Sequence, residues 1–250
     1  MYLTTQGLVL RVCPYNDTDA MLTVLTGEYG KISAKVRGLR RKNSPLSAPC
    51  QLLALAEFTF FEYKNAYTVN EAHTVELFTE IRKDLQLLSL GTYFAQVAEV
   101  LSQEDLPNPQ LLSLVLNCLY GLAKLGVLEE QAKAVFELRS ACLAGYAPDI
   151  SGCFACGTST PDLFNISQGH LECNRCRGVV GDGIRIPISP GILEAMRYIC
   201  SCDPHRLFSF SLTPAGFQQL SQITEAYLST QLERGFSTLD FYKTLVYNPI

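Results

Sequence analysis

The chain has no tryptophan, three histidines and only 18% charged residues, against roughly 25% in an average globular protein. That scarcity of charge, with 48% hydrophobic residues, excludes a disordered, solvating chain and leaves ample material for a core. Without tryptophan, stacking on nucleobases falls to tyrosine and phenylalanine. No run approaches the ~20 apolar residues that span a bilayer. The most apolar, residues 111–116, is broken by Ser113 and soon followed by Asn117. Residues 1–6 have neither the basic start nor the apolar centre of an export signal, so a cytoplasmic location is expected, with no membrane partner. There is no Gly-rich phosphate loop and no G-x-S-x-G. His73, His170 and His205 are scattered. Nothing in the pattern supports catalysis, and the expectation is a protein that is not an enzyme.

At 250 residues the chain is long enough for one large domain or two small ones. Its net charge of −4 hides an asymmetry. Lys31, Lys35, Arg37, Arg40, Arg41 and Lys42 crowd into one stretch, and no acid occurs from residue 29 to residue 56. One concentrated basic stretch in an acidic chain points to a localised anion site.

Residues 3–76 read as β structure. Residues 7–13 and 20–26 form two apolar, β-branched runs separated by the turn chemistry of Pro14-Tyr15-Asn16-Asp17. Over residues 31–38, Ile32, Ala34 and Val36 alternate with Lys31, Ser33, Lys35 and Arg37, the pattern of a half-buried strand with a basic outer face. A loop follows over residues 39–51. Residues 52–63 and 66–75 complete a set of five strands, suited to a small barrel or sandwich. From residue 77 the period becomes helical. Asn108-Pro109, Ser189-Pro190 and Thr213-Pro214 are cap-plus-proline helix starts. The helix expected over residues 109–125 is apolar on nearly every side and is expected to be central. Others are expected at about 90–101, 128–144, 190–200 and 214–233.

The sharpest local signal is Cys153-x-x-Cys156 and Cys173-x-x-Cys176, with 16 residues between the pairs. This is the spacing of a four-cysteine zinc site, in which four thiolates close a tetrahedron and leave no position for water. One structural Zn²⁺ is expected. An iron–sulfur cluster and four unliganded thiols are the alternatives. His170-x-Glu172 before Cys173-x-x-Cys176 imitates the pieces of a zinc deaminase. There, however, the two pieces lie on separate elements, with proline before the first cysteine. Replacement of one thiolate by His170 is a further alternative. Cys200-x-Cys202 near His205 reads as a helix-end thiol pair.

The order of parts resembles the bacterial DNA repair protein RecO family of recombination mediators. The resemblance is carried by Gly7-Leu8-Val9-Leu10-Arg11, residues 15–20 (Tyr-Asn-Asp-Thr-Asp-Ala), residues 25–30 (Leu-Thr-Gly-Glu-Tyr-Gly) and residues 34–41 (Ala-Lys-Val-Arg-Gly-Leu-Arg-Arg). The helical body and the four-cysteine insertion extend it over nearly the whole chain. It implies a multidomain β + α fold: a five-stranded oligonucleotide-binding (OB) barrel at 1–78, then an α-helical domain at 79–250 with a zinc-ribbon insertion at 148–187. It also implies a mediator of DNA repair and homologous recombination that binds single- and double-stranded DNA and anneals complementary strands. Its implied partners are RecR, the C-terminal tail of single-strand-binding protein and, indirectly, RecA, at the nucleoid of a bacterial cytoplasm. The residues carried over as DNA-binding are Arg11, Lys31, Lys35, Arg37, Arg40, Arg41 and Lys42; as zinc ligands, Cys153, Cys156, Cys173 and Cys176. The competing expectation is a zinc-stapled adaptor that binds only proteins.

Overall fold

The computed structural model describes residues 1–179 and 181–247; the last three residues of the expected helical domain and one position of the expected insertion lie outside them. Five strands come first: β1 (Tyr2–Pro14), β2 (Ala20–Thr26), β3 (Lys31–Val36), β4 (Leu55–Tyr63) and β5 (Ala66–Glu76). They close in the order β1-β2-β3-β5-β4. Every pairing is antiparallel except β3 with β5, which is parallel. This is the five-stranded closed barrel expected from the resemblance.

Alternation builds the barrel core. Val9, Leu22, Val24, Ile32, Ala34, Val36, Phe58 and Phe60 all point inward and are buried. In β1 the alternation fails: Leu8, Val9 and Leu10 are buried in succession, where the register with β2 shifts between Val9 and Arg11. An extra residue at a bulge breaks the period of two, and the helix Leu85–Leu101 packs against β1.

The helices are α1 (Thr79–Lys83), α2 (Leu85–Leu101), α3 (Pro109–Tyr120), α4 (Glu129–Leu143), α5 (Pro190–Ser201), α6 (Pro214–Gln231) and α7 (Ser237–Tyr247). Asn108, Ser189 and Thr213 each cap a helix whose first residue is proline, accepting the N–H of Leu111, Ile192 and Gly216 respectively. A small sheet, β6 (Asp149–Cys153), β7 (Leu163–Asn165), β8 (His170–Glu172) and β9 (Arg185–Pro187), lies between α4 and α5 in the chain, in the order β6-β8-β7-β9.

By packing, the chain divides into two compact units. One holds residues 1–125 and 236–250, so the barrel keeps α1, α2, α3 and α7 with it; the other holds residues 126–235. In the first unit, Gly91 lets α2 approach closely, since a Cβ there would stand 2.8 Å from Leu53 Cδ1.

One sequence expectation needs correction. The 109–125 helix is not the central one. It turns to a π-helical segment at Gly121–Leu125, and its buried residues, Leu111, Leu114, Val115, Cys118 and Leu119, lie on one side. The most enclosed helix is α4, which buries ten residues including Lys133 and Glu137. Its charged residues disguised it, because they are paired inside the second unit. Helix α7 was not anticipated. Its buried Leu239, Tyr242 and Leu245, with Phe236 before it, repeat every three residues and carry the signal in hindsight.

Candidate nucleic-acid interface and metal centre

The basic stretch occupies strand β3 and the turns that follow it. The β1–β2 turn and the segment after β3 are tied together by a short set of hydrogen bonds. Asn16 Oδ1 accepts the N–H groups of Thr18 and Asp19, a side-chain turn of the kind asparagine favours. Asp19 accepts the Gly38 N–H at 2.9 Å and the Lys35 ammonium at 3.0 Å. Arg40 donates its backbone N–H to Thr18 O and its guanidinium to Asn16 O at 2.7 Å. Gly38 has φ +66°, a left-handed conformation that glycine adopts without strain. The Gly38 N–H, then Lys35, Asn16 and Thr18, hold the Asp19 carboxyl far below the usual carboxylate range against a small opposing effect of burial.

These contacts sort the seven sequence-predicted cations. Arg11 pairs with Glu99 at 2.9 Å while remaining 58% exposed. Lys31 donates to the Glu99 carbonyl at 2.9 Å. Lys35 is held by Asp19, its ammonium 4.6 Å above the Tyr15 ring. Arg40 has one partner but an exposed side chain. Arg37, Arg41 and Lys42 are exposed and form no ion pair among the described residues. The charge free to meet an anion therefore sits at the end of β3 and beyond it. At the other end, a cavity of about 400 Å³ beside Lys31 and Ser33 is lined by Glu62, Glu104 and Asp105, which repel phosphate.

The flanking aromatics divide in the same way. Phe58 and Phe60 are core residues, whereas Tyr29, Phe61 and Tyr63 are exposed. Tyr15, an exposed ring in the β1–β2 turn, lies under the Lys35 ammonium, and sequence reasoning did not single it out. Its signal was a turn aromatic between two strands, visible only once Lys35 is placed over it.

The second candidate site lies in residues 126–235. The Sγ atoms of Cys153, Cys156, Cys173 and Cys176 all lie within 4.8 Å of one another. Cys156 and Cys173 are 3.8 Å apart. A tetrahedron with Zn–S bonds of ~2.3 Å has edges of ~3.8 Å, so the donor set fits a zinc ion. Cys153 is 2% exposed and ends β6, and the other pair follows β8. Burial opposes ionisation of Cys153, yet the N–H groups of Cys156, Cys173 and Ala155 hold its thiol down to about 6. The hydrogen bonds that Cys176 donates to Cys173 and Cys156, with burial, push its thiol up to about 12. Thiolates this close repel, and a dication at their centre is what lets all four ionise.

Glu172 and His170 take no part in that donor set. Glu172 is buried and accepts from Arg185 Nε at 2.8 Å, Asn165 Nδ2 at 3.0 Å and the Gly178 N–H at 3.2 Å. Burial acts to raise its carboxyl, but these partners and His170 hold it down at about 2. His170 places Nε2 3.2 Å from Glu172 and stacks on Phe154, ring centroids 4.7 Å apart. A carboxylate so pinned is a structural anchor between β8 and β9, which removes the deaminase resemblance. Cys200, Cys202 and His205 do not come together as a metal-ligating group among the described residues.

No helix is long and apolar enough to cross a membrane among the described residues. The profile described as "Recombination protein O N terminal" matches residues 1–78, and that described as "Recombination protein O C terminal" matches residues 82–240. A protein of Acetivibrio thermocellus named "DNA repair protein RecO" is 35% identical over 246 residues, covering 98% of this chain and 97% of its own length. Proteins of the same name from Alkaliphilus metalliredigens and Caldicellulosiruptor saccharolyticus are 29% and 27% identical. They cover 98% and 97% of this chain, and 100% and 98% of their own lengths.

Proposed function

The chain belongs to the recombination protein O family, and on that premise we propose that it mediates DNA repair and homologous recombination by binding DNA rather than by chemistry. In this reading it binds single- and double-stranded DNA and anneals complementary strands. With RecR it helps RecA onto strands covered by single-strand-binding protein, whose C-terminal tail it contacts. The observation that carries the DNA-binding part is the group Arg37, Arg40, Arg41 and Lys42, exposed just past strand β3 of a closed five-stranded barrel, the strand whose Lys35 lies over the ring of Tyr15.

The mechanism is electrostatic. Each cation that meets a phosphate releases a condensed counterion, so binding is tight at low salt and weak at high salt. Two strands neutralised in turn on the same mobile-length side chains approach without mutual repulsion, while their base edges stay free to pair. Arg40, anchored at one nitrogen to Asn16 O, keeps the loop in register with the barrel. Tyr15 offers a face on which an unpaired base stacks. Arg11, Lys31 and Lys35 have internal partners and contribute less than the loop cations.

The four cysteines hold a structural Zn²⁺ in this reading. The ion supplies cohesion to a short four-stranded sheet, and the closed thiolate set leaves it no open coordination position. Annealing of two complementary labelled oligonucleotides tests the proposal. The protein accelerates pairing, and replacing Arg37, Arg41 and Lys42 together with alanine abolishes the acceleration. Protein partners captured with no DNA affinity at low salt would instead support an adaptor.

A further inference from the structure

Two thiols outside the four-cysteine cluster stand in contact. Cys142, one residue before the end of α4, and Cys200, one residue before the end of α5, place their Sγ atoms 3.7 Å apart. A disulfide needs about 2.05 Å, so closure requires an approach of roughly 1.7 Å. Both thiols are only partly buried, so a small oxidant can reach them. Arg139, also on α4, donates to the carbonyls of Cys200 and Cys202 at 3.0 and 3.2 Å. It pins the end of α5 against α4 and sets a cation beside the pair. The Cys202 Sγ lies 3.8 Å from the Ile199 carbonyl oxygen.

We propose that Cys142 and Cys200 are a peroxide-responsive pair that closes reversibly into a disulfide between α4 and α5. The hydrogen bond with Cys200, with help from Arg139, holds the Cys142 thiol below its ordinary range against burial, while the same contact and burial push Cys200 up. In the proposed sequence Cys142 is the attacking sulfur. Its thiolate attacks one oxygen of hydrogen peroxide, the O–O bond breaks, and a sulfenic acid forms as hydroxide leaves and takes a proton to become water. The Cys200 sulfur then attacks the sulfenic sulfur, its proton leaves with the departing hydroxide as a second water, and the S–S bond forms. In total, two thiols and one hydrogen peroxide give one disulfide and two waters. A small dithiol returns both thiols by exchange.

The two positions are 58 residues apart. The segment between them carries β6 to β9 and all four cysteines of the metal cluster. The disulfide thus fastens the base of that module, holding its two ends together independently of the four thiolates.

The test uses the full chain with one equivalent of Zn²⁺ bound. It is treated with one to ten equivalents of hydrogen peroxide, its free thiols are alkylated, and its peptides are mapped by mass spectrometry without reduction. The expected result is a linked Cys142–Cys200 peptide pair as the first oxidation product, two hydrogens lighter, appearing before zinc release and lost after dithiothreitol. C142S lowers the rate of first thiol oxidation at least tenfold, and C200S leaves a Cys142 sulfenic acid that dimedone traps. C202S, a control with the pair intact, changes neither. The proposal is overturned if both thiols stay free while the metal ligands oxidise. It is equally overturned if Cys142 links to Cys202, or if C142S oxidises at the wild-type rate.

Discussion

The Lys35 ammonium lies 3.0 Å from the Asp19 carboxylate, and that carboxylate also accepts the Gly38 N–H. One acid from the β1–β2 turn thus neutralises one member of the basic stretch and fixes the turn from which the free cations project. The Asp19 carboxyl is held low in the folded chain, first by the Gly38 N–H. A depressed folded value means its contribution is fully present above the unfolded value of ~3.9 and fades as pH falls through that range toward the folded one. Hydrogen exchange is expected to show the Gly38 amide protected at pH 7, with protection fading below about pH 4. In D19A, protection is lost at pH 7. Protection in D19A equal to wild type would mean that the turn is held by other contacts.

Tyr15 is exposed and carries Lys35 over its ring. Base–aromatic stacking is worth ~1–3 kcal/mol per base. Y15A is expected to weaken binding of a single strand by about 5- to 150-fold while changing duplex affinity little, because a paired base is already stacked. Competition anisotropy with the two substrates reads the difference. Equal losses on both would assign Tyr15 to holding the turn.

Zinc analysis of the purified chain is expected to give one ion per molecule. Because binding energy at a structural zinc site is folding energy, strong chelation, or C156S, makes residues 149–187 protease-sensitive. DNA binding by the barrel, a separate compact unit, survives. Loss of DNA binding together with zinc would place the module in the interface.

Lys133 and Glu137 are 4% and 0% exposed and 2.9 Å apart. Lys133 also meets Glu225 at 2.9 Å and the Ser221 carbonyl at 3.2 Å, and Glu137 accepts from Thr224 at 2.7 Å. Burial pushes the Glu137 carboxyl up, and Lys133 and Thr224 oppose it. K133A takes the cation away from the buried Glu137 carboxylate and is expected to cost ~3–5 kcal/mol, whereas K133M with E137L costs much less. Denaturant midpoints of the two variants decide. Equal costs would show that packing volume, and not the charge pairing, sets the penalty.

The sequence makes the barrel and the thiol cluster legible because both write local patterns. Ile32, Ala34 and Val36 alternate with Lys31, Ser33 and Lys35 as a half-buried strand must, and two C-x-x-C pairs bring four donors together with few degrees of freedom. What it hides is pairing across distance. An acid-free window from 29 to 56 reads as six free cations, yet the Asp19 carboxylate and the Glu99 main-chain carbonyl, both outside that window, engage Lys35 and Lys31. Glu99 also takes Arg11, 88 positions away in the chain. Helix α4 looks too polar for a core because its neutralising partners Ser221, Thr224 and Glu225 arrive on α6. The contact between Cys142 and Cys200 is likewise invisible to a window shorter than 58 residues.

The most direct test of the account is the salt dependence of single-strand binding, measured by fluorescence anisotropy of a labelled oligonucleotide. Four loop cations, Arg37, Arg40, Arg41 and Lys42, predict a slope of log K against log salt near −3, at ~0.7 per phosphate contact; all six cations of the basic stretch would give about −4. Replacing Arg37, Arg41 and Lys42 with alanine is expected to flatten the slope to about −1 and to cost at least tenfold in affinity at low salt. A wild-type slope near zero, or an unchanged slope in the triple variant, would contradict the assignment of DNA binding to this edge of the barrel.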